Sequence, residues 1–227
     1  MPERLRAFLI AAATALVILG ASILPFLTGA YLQVEQERAG AQRLTGYDGQ
    51  TLQAVTTAIV HDLLLGGDFS TDVGGAPVLT EPERAHMRDV RGVFQGFFAL
   101  VAGGVLLLAW ALLRASAPEA RAATWRAVGN GARGLAIALV VAGAFAVFAF
   151  DAAFEVFHRL FFSAGSYSFD PRTDRLVQLF PEQFWSDTAI AVGVVSIAVA
   201  LLTAWFASRR AGVPSAAAVL STSKART

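Results

Sequence analysis

Three scarcities bound this chain of 227 residues before any motif is considered. It has no cysteine, so a disulfide framework, a thiolate metal site and a cysteine acyl-enzyme are all excluded. It is poor in charge, with 15% Asp, Glu, Lys and Arg against roughly 25% in soluble domains. It has only three histidines, so the position of each is informative. No GxSxG elbow marks a serine nucleophile, no HExxH marks a zinc protease, and nothing points to nucleic acid. What is abundant is apolar: 56% hydrophobic residues and a mean hydropathy of +0.57 indicate a membrane as solvent.

Four runs without charge are long enough, or nearly so, to cross a bilayer that requires ~20 apolar residues. They cover residues 7–32, 92–113, 134–150 and 188–208, the third spanning fully when its helix continues to 156. The first run exceeds the apolar core of a cleaved signal peptide, so a retained anchor is expected. Orientation follows the basic residues. The N-terminus, residues 114–133 and the tail hold ten Lys/Arg and two acids; the other two connecting segments hold eight Arg and fifteen acids. Both termini are therefore expected in the cytoplasm, with outward loops at 33–91 and 157–187. The expected fold is an all-α membrane protein of four transmembrane helices, its outward loops forming a small α+β cap. Residues 1–210 are read as a single integral domain and 211–227 as a disordered cytoplasmic tail.

In the first outward loop, LQAVTTAIVHDLLL reads as an amphipathic helix at the interface, and Gly66 to Gly75 as a turn-rich break. Thr80 and Glu83 then fit a capping box that opens a helix running into the second span. It carries Glu83, His86 and Asp89 on one face. At the end of the third span Asp151, Glu155 and His158 share a face. Ionisable groups this close to hydrocarbon usually face a bundle interior or a wet cavity, so this face is a candidate site. SYSFDPRTDRLVQLF is expected to form a short hairpin around DPRTD. His61 has only Asp62 beside it and reads as structural. Glu155-x-x-His158 has the spacing of carboxylate-bridged metal bundles, but those use two such motifs, and no metal is expected. Two histidines with neighbouring carboxylates suit proton transfer to and from a reacting group. Ser163, Ser166 and Ser168 lie near His158 without any one being marked. Phe157, Phe161, Phe162 and Phe169 either pack at the interface or form an apolar wall for an acyl chain.

EPERAHMRDV before the second span, and FHRLFF with FDPRTDRLVQLFPEQFW between the third and fourth, resemble the lipoprotein intramolecular transacylases, small four-helix bacterial membrane proteins. Where relatives carry an Asn-Asp-x-Trp-like stretch, this chain reads SAGSYSFDP, with Tyr167 in place of Trp. The resemblance implies a cytoplasmic-membrane enzyme acting on its extracytoplasmic side, without a cofactor. Its partners would be membrane lipids and lipoproteins whose N-terminal cysteine bears a diacylglyceryl group. The reaction implied moves the sn-2 acyl chain to the α-amino group of that cysteine, leaving a lyso form. Catalytic His86 and His158 are implied, with Glu83, Asp89, Asp151 and Glu155 in support. Arg88, Arg159, Phe161, Phe162, Tyr167, Asp170, Asp174, Glu182 and Trp185 would position substrate or loop. The sequence does not decide which histidine is base and which is acid. A hydrolase using the same pair, and a membrane scaffold or sensor, are the competing readings.

Overall fold

The computed structural model describes residues 2–163 and 165–212. Residues 213–227, where most of the expected tail falls, lie outside the described residues. The long apolar runs become helices α1 (Glu3–Ile23), α5 (Glu81–Arg114), α6 (Pro118–Phe148) and α9 (Glu182–Ala211). Four stretches are long and apolar enough to cross a membrane: Glu3–Leu27, Glu81–Arg114, Pro118–Phe145 and Glu182–Ala211.

The third differs from the reading at 134–156. Its helix begins at Pro118 and stops at Phe148, and Ala149 leaves the helical region (φ −147°, ψ 50°) before a separate α7, Phe150–Phe161. The reason lies in the pattern. From Gly134 to Phe148 the helix is apolar all round. From Phe150 a polar arc (Asp151, Glu155, Arg159) opposes an apolar one (Val156, Phe157, Leu160, Phe161), as in a helix that lies along a boundary.

The described residues divide into two compact units. In the first, made of residues 2–21, 100–140 and 195–212, small side chains let helices approach closely. Ala132, Ala136, Ala200 and Ala204 pack with Ile18 and Leu135, and Ala111, Ala127 and Ala207 pack with Ile10. At Gly131 a Cβ would collide with the backbone of Ala11, so only glycine fits there.

The second unit, residues 22–99 and 141–194, holds the shorter elements. These are α2 (Gly29–Arg38), α3 (Ala41–Thr45), α4 (Gly49–Leu65), strands β1 (Asp72–Val73) and β2 (Ala76–Pro77), and α8 (Arg175–Leu179). Asp48 caps α4 by accepting the Thr51 amide at 2.7 Å. The helix buries Leu52, Val55, Ile59 and Leu63 against Met87, Leu179 and Phe184. These four side chains are thus covered by protein. The β-hairpin falls in the Gly-rich break of the first connecting segment. Gly74 and Gly75, both with positive φ, supply the two-residue turn that joins β1 to β2.

Among the described residues no strand forms around DPRTD. There Asp170 accepts the Arg172 amide on its carboxylate (2.9 Å) and the Asp174 amide on its carbonyl (2.8 Å), while its own amide donates to Asp174 (2.7 Å). Two aspartates closing one turn leave no extended arm, and the chain enters α8 directly.

Candidate active site

The first part of α5 carries six charged residues between Glu81 and Arg91, and its uncharged run starts only at Gly92. His86 therefore lies outside the membrane-spanning part of its helix. The helix start is fixed by Glu83, which has no exposure to solvent. One of its oxygens accepts both the amide and the hydroxyl of Thr80, each at 2.7 Å, as the reach-back half of a capping box. The other accepts the Leu176 amide at 2.6 Å, at the first turn of α8. The carboxylate expected to support His86 is thus spent on the backbone. It pins the second connecting segment onto α5, one helical turn from His86.

His86 and His158 are both buried, at 7% and 8% exposure, and their rings stack with centroids 6.1 Å apart and planes 22° apart. His158 lies on α7. Its Nδ1 is 2.8 Å from the carbonyl oxygen of Phe154, one turn earlier. A carbonyl only accepts, so Nδ1 carries the hydrogen and Nε2 is the nitrogen left free to take a proton. Phe154 also packs its ring on the imidazole at 4.0 Å, and Tyr167 does so at 5.0 Å. Phe162 touches both histidines, at 4.9 Å from His86 and 5.4 Å from His158. Phe169 packs on His86 at 5.6 Å.

The carboxylates expected beside His158 are engaged elsewhere. Glu155 accepts from Arg159 at 2.7 Å and from the Tyr167 hydroxyl at 3.2 Å, and the Arg159 guanidinium holds its carboxyl below the usual range. Asp151 is exposed at the start of α7. Their contribution to His158 is indirect: Glu155 holds the phenol of Tyr167, whose ring lies on the imidazole.

Beside His86 opens a cavity of about 370 Å³, also lined by Thr80, Asp89, Ser166, Ser168 and Asp174. The Nδ1 atom of His86 is buried and has no hydrogen-bond partner among the described residues. Burial pushes the pKa of His86 down to about 4; the neighbouring His158 adds to the effect and Asp89 opposes it. This imidazole is neutral at physiological pH.

The other expected residues fall outside this group. Arg88 pairs with Glu81 at 2.6 Å, and Arg172 with Asp170 at 2.9 Å. Phe161 is exposed and packs on Phe157, Glu182 is exposed at the start of α9, and the Trp185 ring meets Phe180 and Phe184. His61 is exposed and meets Asp62 at 3.4 Å. Sequence reasoning missed Phe154, although its place four residues before His158 on a helix was the available signal. Among the described residues no group of three or more His, Asp and Glu side chains is arranged to hold a metal ion.

Fold and site together define an integral membrane protein with a paired-imidazole centre at the end of an apolar helix. A profile of the family Lipoprotein intramolecular transacylase Lit matches residues 8–185, and the chain belongs to that family. It is accordingly a membrane enzyme of acyl transfer. The structure of Lit from Bacillus cereus superposes with a TM-score of 0.73 at 17% identity, over 92% of this chain and 95% of that one. Two further structures of the Bacillus cereus protein carry a histidine replaced by arginine or by alanine. Both superpose with a TM-score of 0.69 at 16% identity, over 92% and 91% of this chain and 91% and 92% of theirs respectively. At these identities the likeness is one of fold. No curated protein matches the chain by sequence.

Proposed function

We propose that the protein moves the sn-2 acyl chain of a diacylglyceryl lipoprotein to the α-amino group of its N-terminal cysteine, at the extracytoplasmic face of a bacterial cytoplasmic membrane. The observation that carries this reading, beside family membership, is the buried imidazole pair 6.1 Å apart. The side of the membrane rests on the charge asymmetry of the connecting segments, which keeps both termini cytoplasmic. Nucleophile and ester belong to one substrate molecule, so proximity supplies much of the acceleration and no enzyme nucleophile is needed. This fits a chain without cysteine.

His158 is the base in this reading. Its Nδ1–H is fixed on the Phe154 carbonyl, which leaves Nε2 as the nitrogen that takes the amine proton. The freed amine attacks the ester carbonyl, a C–N bond forms, and the C–O bond to glycerol breaks. Of the two protons the ammonium loses, one ends on the glycerol oxygen and the other reaches solvent through His158. His86, which resists protonation, is a poor base and a competent neutral N–H donor to the oxygen that becomes negative.

The test is expression in a bacterium whose lipoproteins stay diacylglycerylated, with tandem mass spectrometry of a reporter's N-terminal lipopeptide. Substrate and product have equal mass, so fragmentation must locate the chain. Acyl on the amine, lost in His86→Ala and His158→Ala variants that still insert, is the expected outcome. Released free fatty acid instead would make the enzyme a hydrolase. Wild-type turnover in both variants would remove the imidazole pair from the mechanism.

A further inference from the structure

Among the described residues the cavity beside His86 is lined by acidic side chains and by no basic one. Asp89 and Asp174 line it with the hydroxyl-bearing Thr80, Ser166 and Ser168, and neither Lys nor Arg does. Five arginines of this unit are committed elsewhere. Arg84 and Arg88 pair with Asp68 and Glu81, Arg159 with Glu155, and Arg172 with Asp170. Arg175 donates to the Thr45 carbonyl and to Gln178. Asp89 is exposed and forms no ion pair among the described residues, and Asp174 is occupied by the Asp170 amide and the Thr173 hydroxyl.

Independently of the carboxylates, His86 lines this cavity at 7% exposure with its Nδ1 lacking any partner among the described residues. A buried polar atom left unpaired in a native site calls for a partner, a water or a ligand atom. With the hydrogen on Nε2, the nitrogen assigned to the oxyanion, Nδ1 carries the lone pair, and in that tautomer the missing partner is a donor. Two carboxylates add the requirement of positive charge. At about 370 Å³ the space suits a small polar head.

We infer that this cavity is a primary-ammonium subsite, in which Asp89, backed by Asp174, holds the α-ammonium of the substrate's N-terminal residue while His86 Nδ1 accepts one of its hydrogens. The inference rests on the transacylase reading and adds to it the group that selects the nucleophile. Carboxylate and imidazole together hold the amine beside the histidine pair, where its proton is removed. They also discriminate against N-terminal residues that are already acylated, because an amide is uncharged.

An ethanolamine headgroup presents the same ammonium chemistry, so the experiment separates the two sources. The probe is a lipopeptide with ether-linked alkyl chains, which holds no transferable acyl group, and its N-acetylated twin. Binding of each to the full chain in detergent is measured for wild type, Asp89→Asn, Asp174→Asn and Asp89→Glu. Wild type is expected to favour the free amine at least ~10-fold, a difference of about 1.4 kcal/mol. Both Asn variants should bring the ratio toward one while leaving affinity for the acetylated twin unchanged, and Asp89→Glu should keep most of it. An equal preference in wild type and both Asn variants, or none in wild type, overturns the subsite. Displacement of the amine probe by phosphatidylethanolamine but not phosphatidylcholine assigns the cavity to a phospholipid headgroup and overturns its assignment to the lipoprotein. Conversion of the ester lipopeptide by wild type is scored separately. Its failure sinks the transacylase reading, while the amine preference still decides the cavity.

Discussion

His86 is buried as a neutral ring, and that alone makes the fold sensitive to acid. The unfolded chain binds a proton at this position below pH 6.5, whereas the folded chain accepts it only near pH 4. The unfolded state holds more protons throughout that window, so stability falls as pH drops through it and is flat above it. The two limits correspond to roughly 3 kcal/mol. Thermal unfolding in detergent between pH 4 and 7 should show this slope, and a His86→Phe variant should lack most of it; equal slopes would mean that the ring is not buried neutral. At this scale the sequence singled out residues and was silent about their partners. His86 and His158 stand out because charge and histidine are scarce. That the second ring leans on a backbone carbonyl, and that Glu83 and Glu155 serve other groups, depends on three-dimensional approaches that spacing does not encode.

At the level of elements, hydropathy located the helices α1, α5, α6 and α9 and the capping box opened α5 where expected. Hydropathy did not locate the break at Ala149, because no proline or glycine marks it. The signal was the change from all-round apolarity to an amphipathic repeat. Likewise DPRTD reads as the tip of a hairpin only until its two aspartates are seen to accept each other's amides. The joint between α5 and α8 is a single carboxylate with three donors. Glu83→Gln keeps one acceptor oxygen but turns an amide NH₂ toward the other donors. It should cost roughly 3 kcal/mol, with hydrogen exchange at the Leu176 amide rising most. Glu81→Gln, in an exposed ion pair, should change stability far less. Similar effects of the two substitutions would deny Glu83 its role as a clamp.

The proposed orientation of the whole molecule rests on charge, and the absence of cysteine makes it directly measurable. A cysteine introduced at Thr173 should react with a membrane-impermeant maleimide in intact cells, and one at Ser116 only after permeabilisation; both positions are exposed. The opposite pattern would invert the proposed topology and move the histidine pair to the cytoplasmic side. The bond from Leu176 to Glu83 also has a consequence for biosynthesis. The two residues lie 93 positions apart, so the ribosome releases α5 well before the segment that caps it. Until that segment is translated, Glu83 has no α8 amide to accept, and the loop residues that line the His86 cavity do not yet exist. A nascent chain halted between these points therefore lacks a finished centre, although its first membrane helices have already been made.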